Sequence, residues 1–102
     1  MYRARDRIDN AEWVARLTRA ADGLGLGSEA RSNAVDLFCS NVPSEERSKP
    51  AVAAASLYAG ALIAGEERPQ GAVAEAMDVT RLSVQNRWKE LLEESGFQPP
   101  EW

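Results

Sequence analysis

The sequence predicts an all-α fold: one domain of five helices. Apolar residues recur at helical spacing in five separate segments, and no segment has a convincing strand pattern. A chain of 102 residues is long enough to close a single hydrophobic core. We therefore expect one domain over residues 1–102, with an ordered core from about 8 to 95 and short flexible ends.

The first helix is predicted to begin at Asp9, whose side chain can cap the helix. Glu12, the third helical residue, can accept a hydrogen bond from the Asp9 backbone N–H in return. Ile8 precedes the cap and can pack against Trp13. One face then carries apolar residues at helical spacing: Trp13, Leu17, Ala20 and Ala21.

The second helix is predicted to begin with Ser28 as N-cap and to end before Pro43, which cannot continue it. Its apolar face consists of Ala30, Ala34, Leu37 and Phe38. Between the first two helices, Leu24 and Leu26 lie among glycines, and we expect both to enter the core. A polar loop is predicted over 44–49.

The third helix is predicted over 50–63, with Pro50 in its first turn and Gly65 ending it. It is apolar on nearly every side, which is typical of a helix surrounded by others. Its small side chains allow neighbouring backbones to come close. We therefore expect this helix at the centre of the bundle.

Two short helices joined by a tight turn close the chain. The first is predicted over 70–77, and its inward residues are Val73, Ala74, Ala76 and Met77. Asp78 occupies the turn, where a positive φ is expected, and Thr80 is the N-cap of the last helix. The buried stripe of that helix is predicted to be Val84, Trp88 and Leu91.

The last helix presents the candidate DNA-binding residues. Arg81, Gln85 and Lys89 lie away from the buried stripe, with Arg87 near its edge, as expected for the recognition helix of a helix-turn-helix. Arginine donates to guanine or phosphate, and amides can pair with adenine. The full predicted set is Thr80, Arg81, Leu82, Ser83, Gln85, Asn86, Arg87 and Lys89. On spacing alone, a simpler interpretation is a solvated face whose charges pair with Glu90, Glu93 and Glu94.

Composition narrows the other possibilities. The net charge is −4, and only two of the twelve basic residues are lysines. This pattern is typical of proteins from halophilic organisms, although a GC-rich genome also produces it. One cysteine, no histidine and no glycine-rich phosphate loop argue against an enzyme, a cofactor or a metal. Without a leader or a membrane-length apolar run, we expect a cytoplasmic protein.

Several motifs together resemble one protein family. They are Leu24-Gly25-Leu26, Lys49-Pro50, Val52-Ala53-Ala54-Ala55-Ser56-Leu57-Tyr58, Gly65-Glu66-Glu67-Arg68, Val73-Ala74-Glu75, Val79-Thr80, Asn86-Arg87 and Lys89-Glu90-Leu91. In this order they look like the second cyclin-like repeat of archaeal transcription factor B, of the transcription initiation factor IIB family. The resemblance extends over about residues 10–95.

The resemblance implies a five-helix cyclin fold whose last two helices contact double-stranded promoter DNA next to the TATA box, with the TATA-binding protein as partner. It places the base-contacting positions at Leu82 and Gln85, where the family usually has a small aliphatic residue and an arginine. Pro69 and Asp78 also replace the family's threonine and glycine. The DNA sequence preferred is therefore in question.

The family's zinc ribbon, linker and first repeat have no counterpart in these 102 residues. We therefore expect contact with RNA polymerase to be only indirect, and we favour a short stand-alone relative over an excised domain. The main alternative is a protein-interaction module of cyclin fold that modulates basal transcription without specific DNA contact, because such folds bind partners in grooves beside the central helix.

Overall fold

The computed structural model describes residues 10–96 and confirms the all-α fold. No strand occurs within this range. The elements, in chain order, are α1 (Ala11–Gly23), α2 (Ser28–Ser40), a 3-10 turn (Glu46–Ser48), α3 (Lys49–Ile63), α4 (Gln70–Ala76) and α5 (Arg81–Glu94).

Helix α1 confirms the predicted apolar face, since all four of its predicted core residues are buried. The helix begins after Asn10, a buried residue whose Oδ1 accepts a hydrogen bond from Lys49 Nζ at 3.3 Å. This bond ties the start of α1 to the start of α3. The predicted cap Asp9 and its neighbour Ile8 lie outside the described residues.

The start of α2 and the loop after it differ from the prediction. Ser28 is the first helical residue rather than the N-cap, because the Gly27 carbonyl accepts the first helical bond, from the Arg31 N–H at 3.1 Å. The predicted polar loop contains the 3-10 turn, and α3 begins at Lys49, where Pro50 is accepted in the first turn. The predicted apolar face of α2 is buried in full.

Helix α3 lies at the centre, as predicted, and packs against each of the other four helices. Residues 52–61 are all buried, so every side of this segment is covered. A Cβ added to Gly60 would lie 2.7 Å from the backbone nitrogen of Ala34, closer than real Cβ atoms come. The α2 and α3 backbones therefore pack directly against each other at Gly60.

The C-terminus of α3 confirms Gly65 as its terminating residue. Gly65 has a φ of 74°. Its N–H donates to the Leu62 carbonyl at 3.1 Å, and the Glu66 N–H donates to the Ala61 carbonyl at 2.9 Å. These two bonds form a Schellman motif, which satisfies carbonyls that the end of the helix leaves without partners.

The loop between α3 and α4 is fastened to the loop between α1 and α2. Arg68 Nε donates to the Leu24 carbonyl at 2.9 Å, and Arg68 Nη2 donates to the Gly25 carbonyl at 3.3 Å. In the other direction, the Gly27 N–H donates to the Glu66 carboxylate at 3.1 Å. This loop clamp fixes where α4 starts, and thereby where the last two helices lie.

Tyr58 adds a further bond to the same loop. Its hydroxyl donates to the Glu67 carboxylate at 3.4 Å. Burial raises the pKa of Tyr58 above its usual value, so the phenol stays protonated and remains a donor. The central helix and the segment preceding α4 are thus joined through a side chain.

Candidate nucleic-acid interface

Helix α4 is short and buries one stripe, formed by Val73, Ala74 and the following Met77. The prediction that Ala76 also faces inward is wrong, because Ala76 is exposed. Ala76 lies two residues beyond Ala74, so its side chain projects from nearly the opposite side of the helix. The core contacts only the side of α4 that carries Ala74. Ala76 instead lines a cleft between α4 and α1.

The turn between α4 and α5 repeats the geometry that ends α3. Asp78 has a φ of 58°, which confirms the predicted positive φ. The Val79 N–H donates to the Ala74 carbonyl at 2.9 Å, and the Asp78 N–H donates to the Glu75 carbonyl at 3.2 Å. Backbone hydrogen bonds thus hold a tight turn in which an aspartate occupies a position that favours glycine.

Thr80 caps α5, as predicted. Its Oγ1 accepts a hydrogen bond from the Ser83 N–H at 3.2 Å and lies 2.9 Å from Ser83 Oγ. Ser83 is half-buried, while Thr80 is exposed. The cap fixes the entry of the chain into α5 and satisfies one of the donors left free at a helix start.

The buried side of α5 confirms the predicted stripe of Val84, Trp88 and Leu91, and it also includes Leu92. The Trp88 ring packs edge-on against the ring of Tyr58 in α3, with centroids 5.3 Å apart. Contacts with α3 therefore set the rotation of α5 about its own axis, and that rotation decides which residues face outward.

Seven of the eight predicted contact residues are exposed, and Ser83 is the exception. Leu82 is 61% exposed, far more than Ile63 at 37%, the other large apolar side chain that is exposed within residues 10–96. Gln85 and Asn86 lie three and four residues after Leu82, and Lys89 lies four and three residues after them, so the four share one face of the helix. We call this face the outer face of α5.

The positive charges on α5 have no ionic partners within the described chain. Arg81, Arg87 and Lys89 form no salt bridge with any of residues 10–96. The ion pairs with Glu90, Glu93 and Glu94 that the simpler interpretation included do not form within residues 10–96, although the face is solvated as that interpretation expects. Arg81 is the first residue of α5, and no carboxylate lies in the first turn, so positive charge and free N–H groups coincide there.

Depressions on the surface of residues 10–96 include two that α5 lines and one that lies away from it. A shallow one of about 400 Å³ lies on α5 itself and is lined by Thr80, Leu82, Ser83, Asn86, Arg87 and Glu90. A groove of about 240 Å³ lies beside α3, lined in part by Val52, Ala55 and Arg87. The largest, about 550 Å³, separates α1 from α4. Arg16 and Arg19 line it from one side, and Glu75 and Asp78 line it from the other.

Other kinds of site find little support in the described residues. No group of three or more metal-binding side chains occurs within 10–96, and no helix there is long and apolar enough to cross a membrane. Cys39 is a buried core residue, as expected from the sequence. Sequence reasoning assigned no role to Glu66 and Arg68, although both belong to a motif that carries the family resemblance.

Within residues 10–96, the arrangement of four helices around a buried α3 is a cyclin-like all-α fold. A family model described as the transcription factor TFIIB repeat matches residues 9–94. The chain therefore belongs to the TFIIB repeat family, which is a family of transcription factors and not of enzymes.

Archaeal relatives agree with this assignment. The chain is 36% identical over 87 residues to a transcription initiation factor IIB from Pyrococcus abyssi, covering 82% of this chain and 29% of the relative. It is 35% identical over 91 residues to the factor from Archaeoglobus fulgidus, covering 86% of this chain and 27% of that protein. It is 38% identical over 83 residues to the transcription initiation factor IIB of Methanosphaerula palustris, covering 78% of this chain and 25% of that protein. The chain thus spans less than a third of the length of these relatives.

Proposed function

We propose that this repeat is a DNA-binding module of transcription initiation that contacts promoter DNA next to the TATA box through α4 and α5. One observation carries the proposal: the outer face of α5 is exposed, and its Lys89 and the adjoining Arg81 and Arg87 form no salt bridge with residues 10–96, in a repeat of the TFIIB family. Lys89 lies over the Trp88 ring, with 5.6 Å between its Nζ and the ring centroid, and its charge remains exposed. A polyanion is the partner that best fits the charge of these three side chains.

The chemistry follows from where each side chain lies. Arg81 at the start of α5, together with Arg87 and Lys89, neutralises phosphates as the first turns of the helix enter the major groove. The Thr80 and Ser83 hydroxyls lie at the same end and hydrogen-bond to the DNA backbone. Leu82, Gln85 and Asn86 face the bases. The tight turn at Asp78 keeps α4 close enough to support α5 on the duplex.

The partner of this module is the TATA-binding protein bound to the same promoter. The relatives are named transcription initiation factor IIB, and we extend that role to this chain. Contact with RNA polymerase is indirect, through the promoter complex. The repeat thus adds sequence-dependent contacts next to a site that another protein occupies.

Salt-dependent binding tests this proposal. We expect a labelled duplex with a TATA box and its upstream flank to bind the wild-type chain, and Arg81→Ala/Arg87→Ala to bind it more weakly. Each lost phosphate contact lowers the slope of log K against log salt by about 1. The matched control is Arg47→Ala, which removes an exposed cation paired with Glu45 outside the interface.

The outcomes separate cleanly. A double variant with the affinity and salt slope of the control would contradict the proposed interface. A wild-type chain that binds no duplex at any salt concentration would contradict DNA binding itself. Addition of the TATA-binding protein should tighten binding of the wild type, and an unchanged affinity would remove that protein as the partner.

A second function is favoured by the groove beside α3. This groove joins the central helix to α5 through Arg87, which also lines the depression on α5. A protein segment bound there would modulate basal transcription without specific DNA contact. Leu82→Ala distinguishes the two functions, because Leu82 lines the depression on α5 but not the groove. Weaker DNA binding by this variant supports the interface, whereas DNA binding and partner binding that both stay at the wild-type level support the groove.

A further inference from the structure

We propose that the cleft between α1 and α4 is a contact surface for a second copy of this chain, in which α1 of each copy lies against α4 of the other across a two-fold axis. The inference goes beyond the proposed function, because the residues that line this cleft include none from α5. It follows from the charges that face each other across the cleft and from the way its walls are held in place.

The cleft has an apolar floor that another protein chain can reach. Its volume is about 550 Å³, and two of the residues that line it, Ala20 and Met77, are buried and form part of its floor. Gly23 and Ala76 also line the cleft and are exposed. Neither has a side chain long enough to keep another backbone away. The cleft therefore admits a helix edge or a loop as well as single side chains.

The two walls of the cleft carry opposite charges that do not pair with each other. Arg16 and Arg19 belong to α1, whereas Glu75 belongs to α4 and Asp78 to the turn that follows it. None of the four forms a salt bridge with any of residues 10–96. Each wall therefore presents charge that is available to another molecule.

A second copy fits this distribution of charge better than a partner of one sign does. DNA or an acidic peptide would be attracted to α1 but repelled by Glu75 and Asp78 on the opposite wall, and a basic peptide meets the reverse conflict. A two-fold rotation places the basic wall of each copy against the acidic wall of the other. Arg19 of each copy then faces the partner's Glu75, which gives two equivalent ion pairs.

Both walls of the cleft are held in place within a single copy. The Arg16 guanidinium lies 4.2 Å from the centroid of the Trp13 ring, and this contact restricts the arginine side chain. Leu24 lines the cleft, and its carbonyl accepts the 2.9 Å bond from Arg68 Nε in the loop clamp. Backbone hydrogen bonds fix the turn at Asp78 on the other side. Little conformational freedom is therefore lost when two copies associate, which favours the contact.

Charge exchange between two variants tests this contact. We expect the wild-type chain to form a dimer in sedimentation equilibrium between about 10 μM and about 1 mM protein. Arg19→Glu and Glu75→Arg each place like charges opposite one another in both symmetric contacts. Each variant alone should therefore raise the dimer dissociation constant by about tenfold or more. An equal mixture of the two should recover a dimer of nearly wild-type affinity, because unlike charges then face each other in both contacts.

Matched controls reverse exposed charges outside the cleft. Arg47→Glu and Glu93→Arg change the net charge by the same amounts as the two test variants, and we expect both to keep the wild-type dimer. Arg19 and Glu75 are exposed, so their substitution should leave the unfolding midpoint nearly unchanged. Recovery in the mixture also requires both variants to be folded, which separates lost contact from lost structure.

A wild-type chain that stays monomeric up to about 1 mM would overturn the inference. Single variants that dimerise as tightly as the wild type would also overturn it, as would a mixture that remains monomeric. If the controls dissociate as much as the test variants, net charge rather than this cleft governs association, and the assignment of the contact to α1 and α4 fails.

Discussion

Helices α3 and α5 are nearly equal in length, at 15 and 14 residues, yet the fold uses them differently. Residues 52–61 of α3 are buried without interruption, and Gly60 brings its backbone against that of α2. Helix α5 buries four residues and leaves a continuous outer face in solvent. Burial is therefore concentrated in α3, and α5 is buried on one side only.

The difference shows where sequence can vary without loss of the fold. On α3, a change of one methyl group alters contacts on every side, because protein interiors are densely packed. On the outer face of α5, side chains contact little of the chain, so their identity is free to follow a partner. Matched substitutions in the central helix and in the α4–α5 pair can test this contrast.

The largest expected effect is at Leu57, which is fully buried in α3. We expect Leu57→Ala to lower the free energy of unfolding by about 2–5 kcal/mol through lost burial and a residual cavity. Leu82→Ala is the same substitution on α5 and should change it by less than about 0.5 kcal/mol. Urea denaturation measures both. Equal losses would remove the contrast between the two helices.

Gly60 should show the next largest effect. A methyl group at Gly60 would meet backbone atoms of Ala34, and we expect Gly60→Ala to cost about 1–3 kcal/mol by forcing α2 and α3 apart. Gly71 in α4 is the control, because an added Cβ there meets nothing within 4 Å. Gly71→Ala should stabilise the domain by up to about 1 kcal/mol. Thermal unfolding of both variants measures the two effects. A Gly60→Ala variant as stable as the wild type would contradict the close approach of the α2 and α3 backbones.

Arg68 and Arg81 are two arginines for which we expect different roles. Arg68→Ala removes the loop clamp's bonds to the carbonyls of Leu24 and Gly25, and we expect a loss of about 1–2 kcal/mol in stability. Arg81→Ala removes an arginine with no salt bridge among residues 10–96 and should leave stability nearly unchanged while weakening DNA binding. Chemical denaturation and duplex titration of both variants measure the split. A destabilised Arg81→Ala would indicate a structural role instead.

The smallest expected effect concerns the two Schellman motifs. Asp78→Gly should stabilise the domain by roughly 0.5 kcal/mol, because glycine accepts a positive φ without the strain that a Cβ brings. The reciprocal change, Gly65→Asp, should destabilise it by about 1 kcal/mol. Shifts in the denaturation midpoint measure both. A stabilising Asp78→Gly and a destabilising Gly65→Asp would support the equivalence of the C-termini of α3 and α4. A loss of stability in Asp78→Gly would contradict it.

Much of the fold could be predicted from sequence because its signals are local. The buried faces of α1 and α2, the stripe of α5 and the Thr80 cap all follow from residue spacing and from side chains near helix ends. The positive φ at Asp78 was likewise expected from its place in a short turn. Helix periodicity and capping involve residues close in sequence, so a single chain reveals them.

The errors arose where a neighbouring element decides. Ala76 has an apolar side chain, but in a helix of seven residues its side of α4 faces the cleft beside α1 rather than the core. The carboxylates near Arg87 and Lys89 suggested ion pairs, yet proximity in sequence did not bring the groups into contact. A helical pattern states which residues share a face, and packing determines what that face meets.

By itself, the sequence determined which segments are helical, which residues form their apolar faces and which family the chain resembles. Only the tertiary structure decided that Arg68 clamps two loops, that Gly60 admits the α2 backbone and that the cations of α5 are exposed and form no salt bridge with residues 10–96. The first group depends on neighbours within about one helical turn. The second depends on residues far apart along the chain, whose meeting is set by the packing of whole helices against one another.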